Sequence, residues 1–201
     1  MFVQVIQGKT SQPEAFVNAI DQWKSDISPG ASGWLGSTGG VTDDGKVIAV
    51  VRFDSEEAAK ANSARTEQDA WWANTSKLFD GEPSFAESTD VNADVQSGVD
   101  NAGFVQVMRG TGSDPERAKE LMAQDADKWA DFRPEILGMV SIGHDQGGYT
   151  MVTYFTSEAE ARQGEQKQPP PELQAQMEEL NKLMTGEPEF FDLKHPLLHS
   201  A

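Results

Sequence analysis

Two stretches of alternating apolar and polar residues stand at equivalent places in the chain: Phe2-Val3-Gln4-Val5 recurs as Phe104-Val105-Gln106-Val107. Each run, Phe2 to Gln7 and Phe104 to Arg109, has the two-residue period of a half-buried strand and ends at a Gly. Phe16, Ile20, Trp23 and Ile27 then recur at helical spacing, which predicts an amphipathic helix. Ser-x-Pro-Glu precedes it in both halves. Ser11 or Ser113 reads as the N-cap and Glu14 or Glu116 as the answering residue of a capping box, with the Pro tolerated in the first turn. Two strands are predicted next, at about 34–42 and 46–53, joined by an Asp43-Asp44-Gly45 turn that becomes Asp145-Gln146-Gly147 in the second half. Ser55 and Ser157 open a second helical region running to Phe79 or Met184, Gly81 and Gly186 suit the position past its end, and Pro83 or Pro188 opens a last strand.

The repetition is ordered along both halves. One offset pairs Gly8 with Gly110, Pro13 with Pro115, Leu35-Gly36 with Leu137-Gly138 and Phe53 with Phe155. After a short insertion around Pro169-Pro170-Pro171, Gly81-Glu82-Pro83-x-Phe85 matches Gly186-Glu187-Pro188-x-Phe190. A tandem duplication, roughly 2–91 and 104–195, explains the series. The order βαββαβ in each copy is the ferredoxin-like unit, an α+β arrangement with both helices on one face of an antiparallel sheet. Strands as apolar as Val47 to Val51 need their other face covered too. The expected architecture is therefore two tandem units packed sheet to sheet as an intramolecular pseudo-dimeric α/β barrel. Residues 1–91 form the first repeat, 92–102 a polar linker, and 103–201 the second repeat with a C-terminal tail.

Composition narrows the chemistry. The chain has 201 residues, 33 acids against 16 bases, a formal net charge of -17 and no Cys. That balance gives no footprint for phosphate backbones or anionic membranes, so neither nucleic acid nor membrane is expected as a partner. Thiolate nucleophiles, zinc–thiolate sites and iron–sulfur clusters are ruled out by the missing Cys. No secretory leader or spanning run appears in the sequence, and a cytoplasmic protein is expected.

The strand-one starts, the Leu-Gly strand after the first helix, and the step Phe53-Asp54-Ser55-Glu56-Glu57-Ala58, looser as Phe155-Thr156-Ser157-Glu158-Ala159-Glu160, resemble the dimeric α/β-barrel superfamily and its antibiotic-biosynthesis-monooxygenase-like group. The resemblance covers nearly all of both halves and implies a homodimer fused into one chain, monomeric or paired again. It also implies either cofactor-independent oxygenation of an aromatic or polyketide-like substrate held between sheet and helices, or a non-catalytic ligand-binding barrel. Haem-degrading relatives use an Asn near the end of strand one, where this chain has Gln7 and Arg109, and a His in the second helical region, where it has none. No cofactor is expected on that ground.

Candidate residues follow from their neighbours. Gln4 and Gln106 agree between the halves in mid-strand and read as a pocket edge or satisfied core amides. Gln7 and Arg109 are pocket candidates at the strand end. Arg52, and Tyr154 at its equivalent position, sit among valines; Arg52 needs a carboxylate or a solvent-filled cleft. Asp125 falls where the first half has Trp23, on the stripe of Leu121, Met122 and Trp129. Buried, it would make a general base; at the helix edge it would be an ordinary surface carboxylate. Trp71 and Trp72 are adjacent, so one is expected in the core and the other, Trp72, beside a cavity or interface. His144 reads as an inert turn residue. His195 and His199 have a four-residue spacing that suits a metal only on a helix, and no metal site is expected. The ligand implied is a small apolar or aromatic molecule.

Overall fold

The computed structural model describes residues 1–95 and 99–201. They form two compact units, residues 1–91 with 191–201 and residues 92–190. The first unit runs β1 (Phe2–Lys9), α1 (Pro13–Gln22), β2 (Trp34–Val41), β3 (Lys46–Phe53), α2 (Glu56–Ser63), α3 (Thr66–Thr75) and β4 (Ser84–Ser88). After β5 (Val91–Val95), the second repeats the order with β6 (Phe104–Thr111), α4 (Pro115–Ala123), α5 (Ala126–Phe132), β7 (Ile136–Gly143), β8 (Gly148–Phe155), α6 (Glu158–Glu165), α7 (Pro171–Leu183) and β9 (Glu189–Leu193). A last strand, β10 (Leu197–Ser200), follows. The fold is α+β, two ferredoxin-like units in tandem.

The strands form two open five-stranded sheets rather than a closed barrel, with orders β10-β2-β3-β1-β4 and β5-β7-β8-β6-β9. The registers repeat: Phe2 lies opposite Phe53 and Phe104 opposite Phe155, both antiparallel. Both second strands carry a bulge, between Trp34 and Gly36 and between Ile136 and Gly138. The β2–β3 turn depends on Gly45, at φ 79°. A Cβ there would stand 2.7 Å from the Thr10 carbonyl oxygen.

Alternation in β1 separates two buried faces. Phe2, Gln4 and Ile6 point toward the helices, where Phe2 packs with Trp23, Trp34 and Phe53. On the opposite face Val3, Val5, Ile48 and Val50 are all buried. The second unit repeats this with Phe104, Phe155 and Ala161 on one face and Val105, Val107 and Val152 on the other. Each such buried aliphatic side chain contributes about 1.5–3 kcal/mol.

Three expectations change. The capping boxes at Ser11 and Ser113 do not form, because Pro13 and Pro115 take the first helical position and move the cap one residue on, to Gln12 and Asp114. Asp114 caps the Arg117 amide through Oδ1 at 3.0 Å, while Ser11 turns to Asp80 and Ser113 to the Leu183 carbonyl. By contrast Ser55 and Ser157 do cap, accepting from the Ala58 and Glu160 amides, each worth about 1 kcal/mol. The 92–102 segment begins as β5 in the second sheet instead of a free linker, and its middle, residues 96–98, lies outside the described residues. The tail is likewise a strand, since β10 pairs with β2 and places His199 opposite Ser37.

The docking of β10 has a built-in pH dependence. Lys24 Nζ donates to the Ser200 carbonyl at 2.6 Å, and His199 Nε2 lies 3.9 Å from Asp21. Burial holds the His199 imidazole below its ordinary value of 6.5; Asp21 pulls it up and Lys24 pushes it further down. An undocked strand therefore binds a proton that the docked strand refuses. Docking is at full strength above that ordinary value and weakens as pH falls below it toward the docked value. Hydrogen exchange of the Leu198 to Ser200 amides should accelerate relative to β1 amides between pH 7 and pH 5.5, after correction for intrinsic rates. Equal protection at both pH values would refute this.

Candidate functional site

The helices of the first unit do not fill the space above their sheet. A cavity of about 220 Å³ remains, floored by Gln4, Ile6, Ala49 and Val51 and reached at one end by Leu197 of β10. Its roof is aromatic. Trp23, Trp71, Trp72, Phe16 and Phe79 border it, and Phe85 of the edge strand stands at its side. The rings form a chain with centroids 6.3 Å apart for Trp23–Trp71, 6.0 Å for Trp71–Trp72 and 6.1 Å for Trp72–Phe79. Trp72 also meets Phe85 edge-on at 5.5 Å.

The polar groups on these walls are few. The Trp23 indole donates to Gln68 Oε1 at 2.6 Å and the Trp71 indole to the Ala19 carbonyl at 2.9 Å, so both rings are held in fixed planes. Gln4 Nε2 donates to Glu87 Oε1 at 2.7 Å, which leaves its own carbonyl oxygen as an acceptor. Asn62, buried, accepts from Arg65 Nη1 at 2.9 Å. Among the described residues, the one ionisable side chain on the wall is Asp69, which is exposed. Such a lining suits a flat, largely neutral ring with one or two polar substituents.

The second unit has a cavity in the same position, of about 370 Å³. Gln106, Thr153 and Phe155 border it from the sheet, Trp129 and Gln176 from the helices. The Trp129 indole donates to Gln176 Oε1 at 2.6 Å, the same bond that Trp23 makes to Gln68.

That bond corrects the reading of Asp125. Trp129, rather than Asp125, does in the second unit what Trp23 does in the first. The first-half helix continues through a turn of π-helix at Trp23–Ile27, whereas the second-half helix ends at Ala123 and restarts after Asp125, which adopts a left-handed φ of 54°. The side chain of Asp125 is exposed, pairs with Lys128 at 2.9 Å and does not border the cavity. It is a surface carboxylate and not a buried base.

The other candidates divide by sheet face. Gln4, Gln106 and Trp72 border the cavities, and so does Trp71, which meets Trp23 while Trp72 meets Phe79. Gln7, Arg52, Arg109 and Tyr154 occupy the alternate positions, with Val3 opposite Arg52 and Val105 opposite Tyr154, on the face turned away from the helices. Arg52 there has a buried Nε without a hydrogen-bond partner among the described residues. Arg109 Nε donates to Thr150 Oγ1 at 3.2 Å, with burial lowering its pKa and Glu189 opposing. Neither cavity receives these four side chains. His195 and His199 are not on a helix, so their spacing does not bring them together as a ligand pair. Asn62 and Gln68 also border the cavity and carry no sequence signal for it, because a polar residue in a helix gives no sign that it faces a cavity. No helix among the described residues is long and apolar enough to cross a membrane.

No protein-family model and no curated protein matches the chain. Solved structures do. A candidate monooxygenase from Lactobacillus acidophilus NCFM superposes with a TM-score of 0.73 at 11% identity, covering 98% of this chain and 93% of its own. A candidate monooxygenase from Fusobacterium nucleatum gives 0.70 at 11% identity, over 99% and 91%. An anthrone oxidase-like protein gives 0.69 at 11% identity, over 100% and 91%. The likeness extends across both units and is one of fold.

Proposed function

We propose that the first unit binds a flat aromatic molecule of the quinol or polyketide class between sheet and helices, and that the chain oxygenates it without a cofactor. The observation that carries this reading is the aromatic cavity: Trp71 and Trp72 offer ring surfaces above, and Gln4 offers a hydrogen-bond acceptor below. The full-length likeness to proteins described as monooxygenases supports it. A methylene flanked by phenolic rings supplies all four electrons for the reaction with O₂, giving a ketone and water, so no outside reductant is required. The protein would hold the ring, exclude water, and stabilise the substrate hydroxyl through Gln4.

A second reading is favoured by the same walls. Among the described residues only the exposed Asp69 is ionisable there, and such a lining suits a binding protein that does no chemistry.

Four of the five Trp residues lie in the first half, so ligand entry should quench intrinsic fluorescence. Titration with an anthrone and a naphthohydroquinone, with O₂ consumption followed in parallel, should give saturable quenching and uptake of one O₂ per anthrone. Val51→Trp, which fills the floor, should abolish both while the circular dichroism is unchanged. Quenching without O₂ uptake would favour the binding protein, and no quenching would eliminate both readings.

A further inference from the structure

We infer that the second unit carries a ligand site of its own, for a flexible apolar chain ending in a carboxylate. It concerns a different cavity from the aromatic one and stands whatever the first unit binds.

The two cavities have diverged in wall chemistry. Of the chain's 7 Met residues, all but Met1 lie in the second half. Met122, Met139, Met151 and Met177 border the second cavity. Met151 takes the place of Ala49 in the register, opposite Met108 as Ala49 is opposite Ile6. Met177 takes the place of Trp72 in the repeat. Fixed indole planes select a plate; unbranched thioethers with several rotatable bonds repack around a chain. The space is also larger, about 370 Å³ against about 220 Å³.

One end of this cavity is charged. Arg133 borders it, with its side chain only 15% exposed. Its Nε donates to Glu135 and its Nη2 to the Ala161 carbonyl at 3.4 Å, which sets the plane of the guanidinium. Neither of these bonds uses Nη1. Glu135 is shared with Lys167, whose Nζ lies 3.7 Å from Oε2, so two cations meet one buried carboxylate. Glu165 also borders the cavity, but its carboxylate pairs with Arg162 at 2.9 Å. A ligand carboxylate against Nη1 would form a charge-assisted hydrogen bond beside apolar walls. The first unit offers nothing similar: Ala31 stands at the position of Arg133 in the repeat, and the Arg65 guanidinium is taken up by the Ile27 carbonyl and Asn62.

The test uses the full chain labelled with ¹³C at its Met methyl groups, titrated below micelle-forming concentrations with decanoate and with the uncharged decanol. Decanoate should shift the Met122, Met139, Met151 and Met177 methyl signals, leave Met1 in place, and bind roughly tenfold more tightly than decanol. Arg133→Gln keeps a donor for Glu135 and should bring the two ligands to similar affinity, whereas Arg133→Lys should retain part of the preference. Met151→Trp should weaken both ligands and leave quenching of the first-unit Trp residues by an anthrone unchanged. Equal binding of decanoate and decanol by the unsubstituted protein would overturn the inference, with no dependence on any variant folding. So would decanoate displaced by the anthrone, or absence of binding.

Discussion

Phe104→Ala should remove roughly 3–5 kcal/mol from the stability of the second unit. Phe104 is completely buried, with its ring centroid 5.7 Å from Phe155 and the Arg162 guanidinium 5.2 Å above it. Truncation deletes the ring's transfer free energy and leaves a void between β6, β8 and α6 that Ala161 and Ile136 are too small to close. The Arg162 stem would lose its apolar platform as well. Because two units need not unfold together, the measurement is native-state hydrogen exchange of the Val105 to Met108 and Val152 to Tyr154 amides. Protection there should fall by at least a hundredfold. A change under about 1 kcal/mol would mean the site collapses around the substitution.

Glu135→Ala should cost about 3 kcal/mol, since it strands Arg133 beside an apolar cavity with its main partner gone. The same carboxylate sets an acid limit on the second unit. Burial pushes the Glu135 pKa up, but the hydrogen bond from Arg133, a backbone hydrogen bond and the charges of Arg133 and Lys167 together outweigh it and hold the group below its ordinary value. A depressed carboxylate contributes stability that is complete above the unfolded value and is lost as pH falls through the folded one. The urea midpoint of the unsubstituted protein should therefore fall more steeply than that of the variant as pH drops from 5 to 3. Parallel curves would remove Glu135 from the account.

What could be read from residue order was whatever local chemistry decides. The two-residue period of Phe2 to Gln7, the Ser55 and Ser157 caps and the Gly45 turn each depend on near neighbours, and each stands where expected. The cavities depend on facing. Gln4 and Arg52 both sit in apolar strands, yet register turns one toward the helices and the other away. The gap-free match of Trp23 to Asp125 failed because one helix bulges through Trp23 while the other breaks at Asp125, and a repeat in sequence does not require a repeat in helical phase. Strands β5 and β10 carry no local signal because each is short and its partner strand lies far away in sequence.

The pairing of β10 with β2 also governs the order of events during synthesis. Every other strand of the first sheet has been synthesised before the second unit begins, but the open edge of β2, from Gly36 to Gly39, waits until residues 197–200 are made. Through the whole translation of the second unit that edge is an unpaired template, with Gly36 and Gly39 offering little side-chain protection against a foreign strand. Closing it is also the longest loop closure in the first unit, so it is the step at which a nascent chain is most exposed to misassembly with its neighbours on the same message.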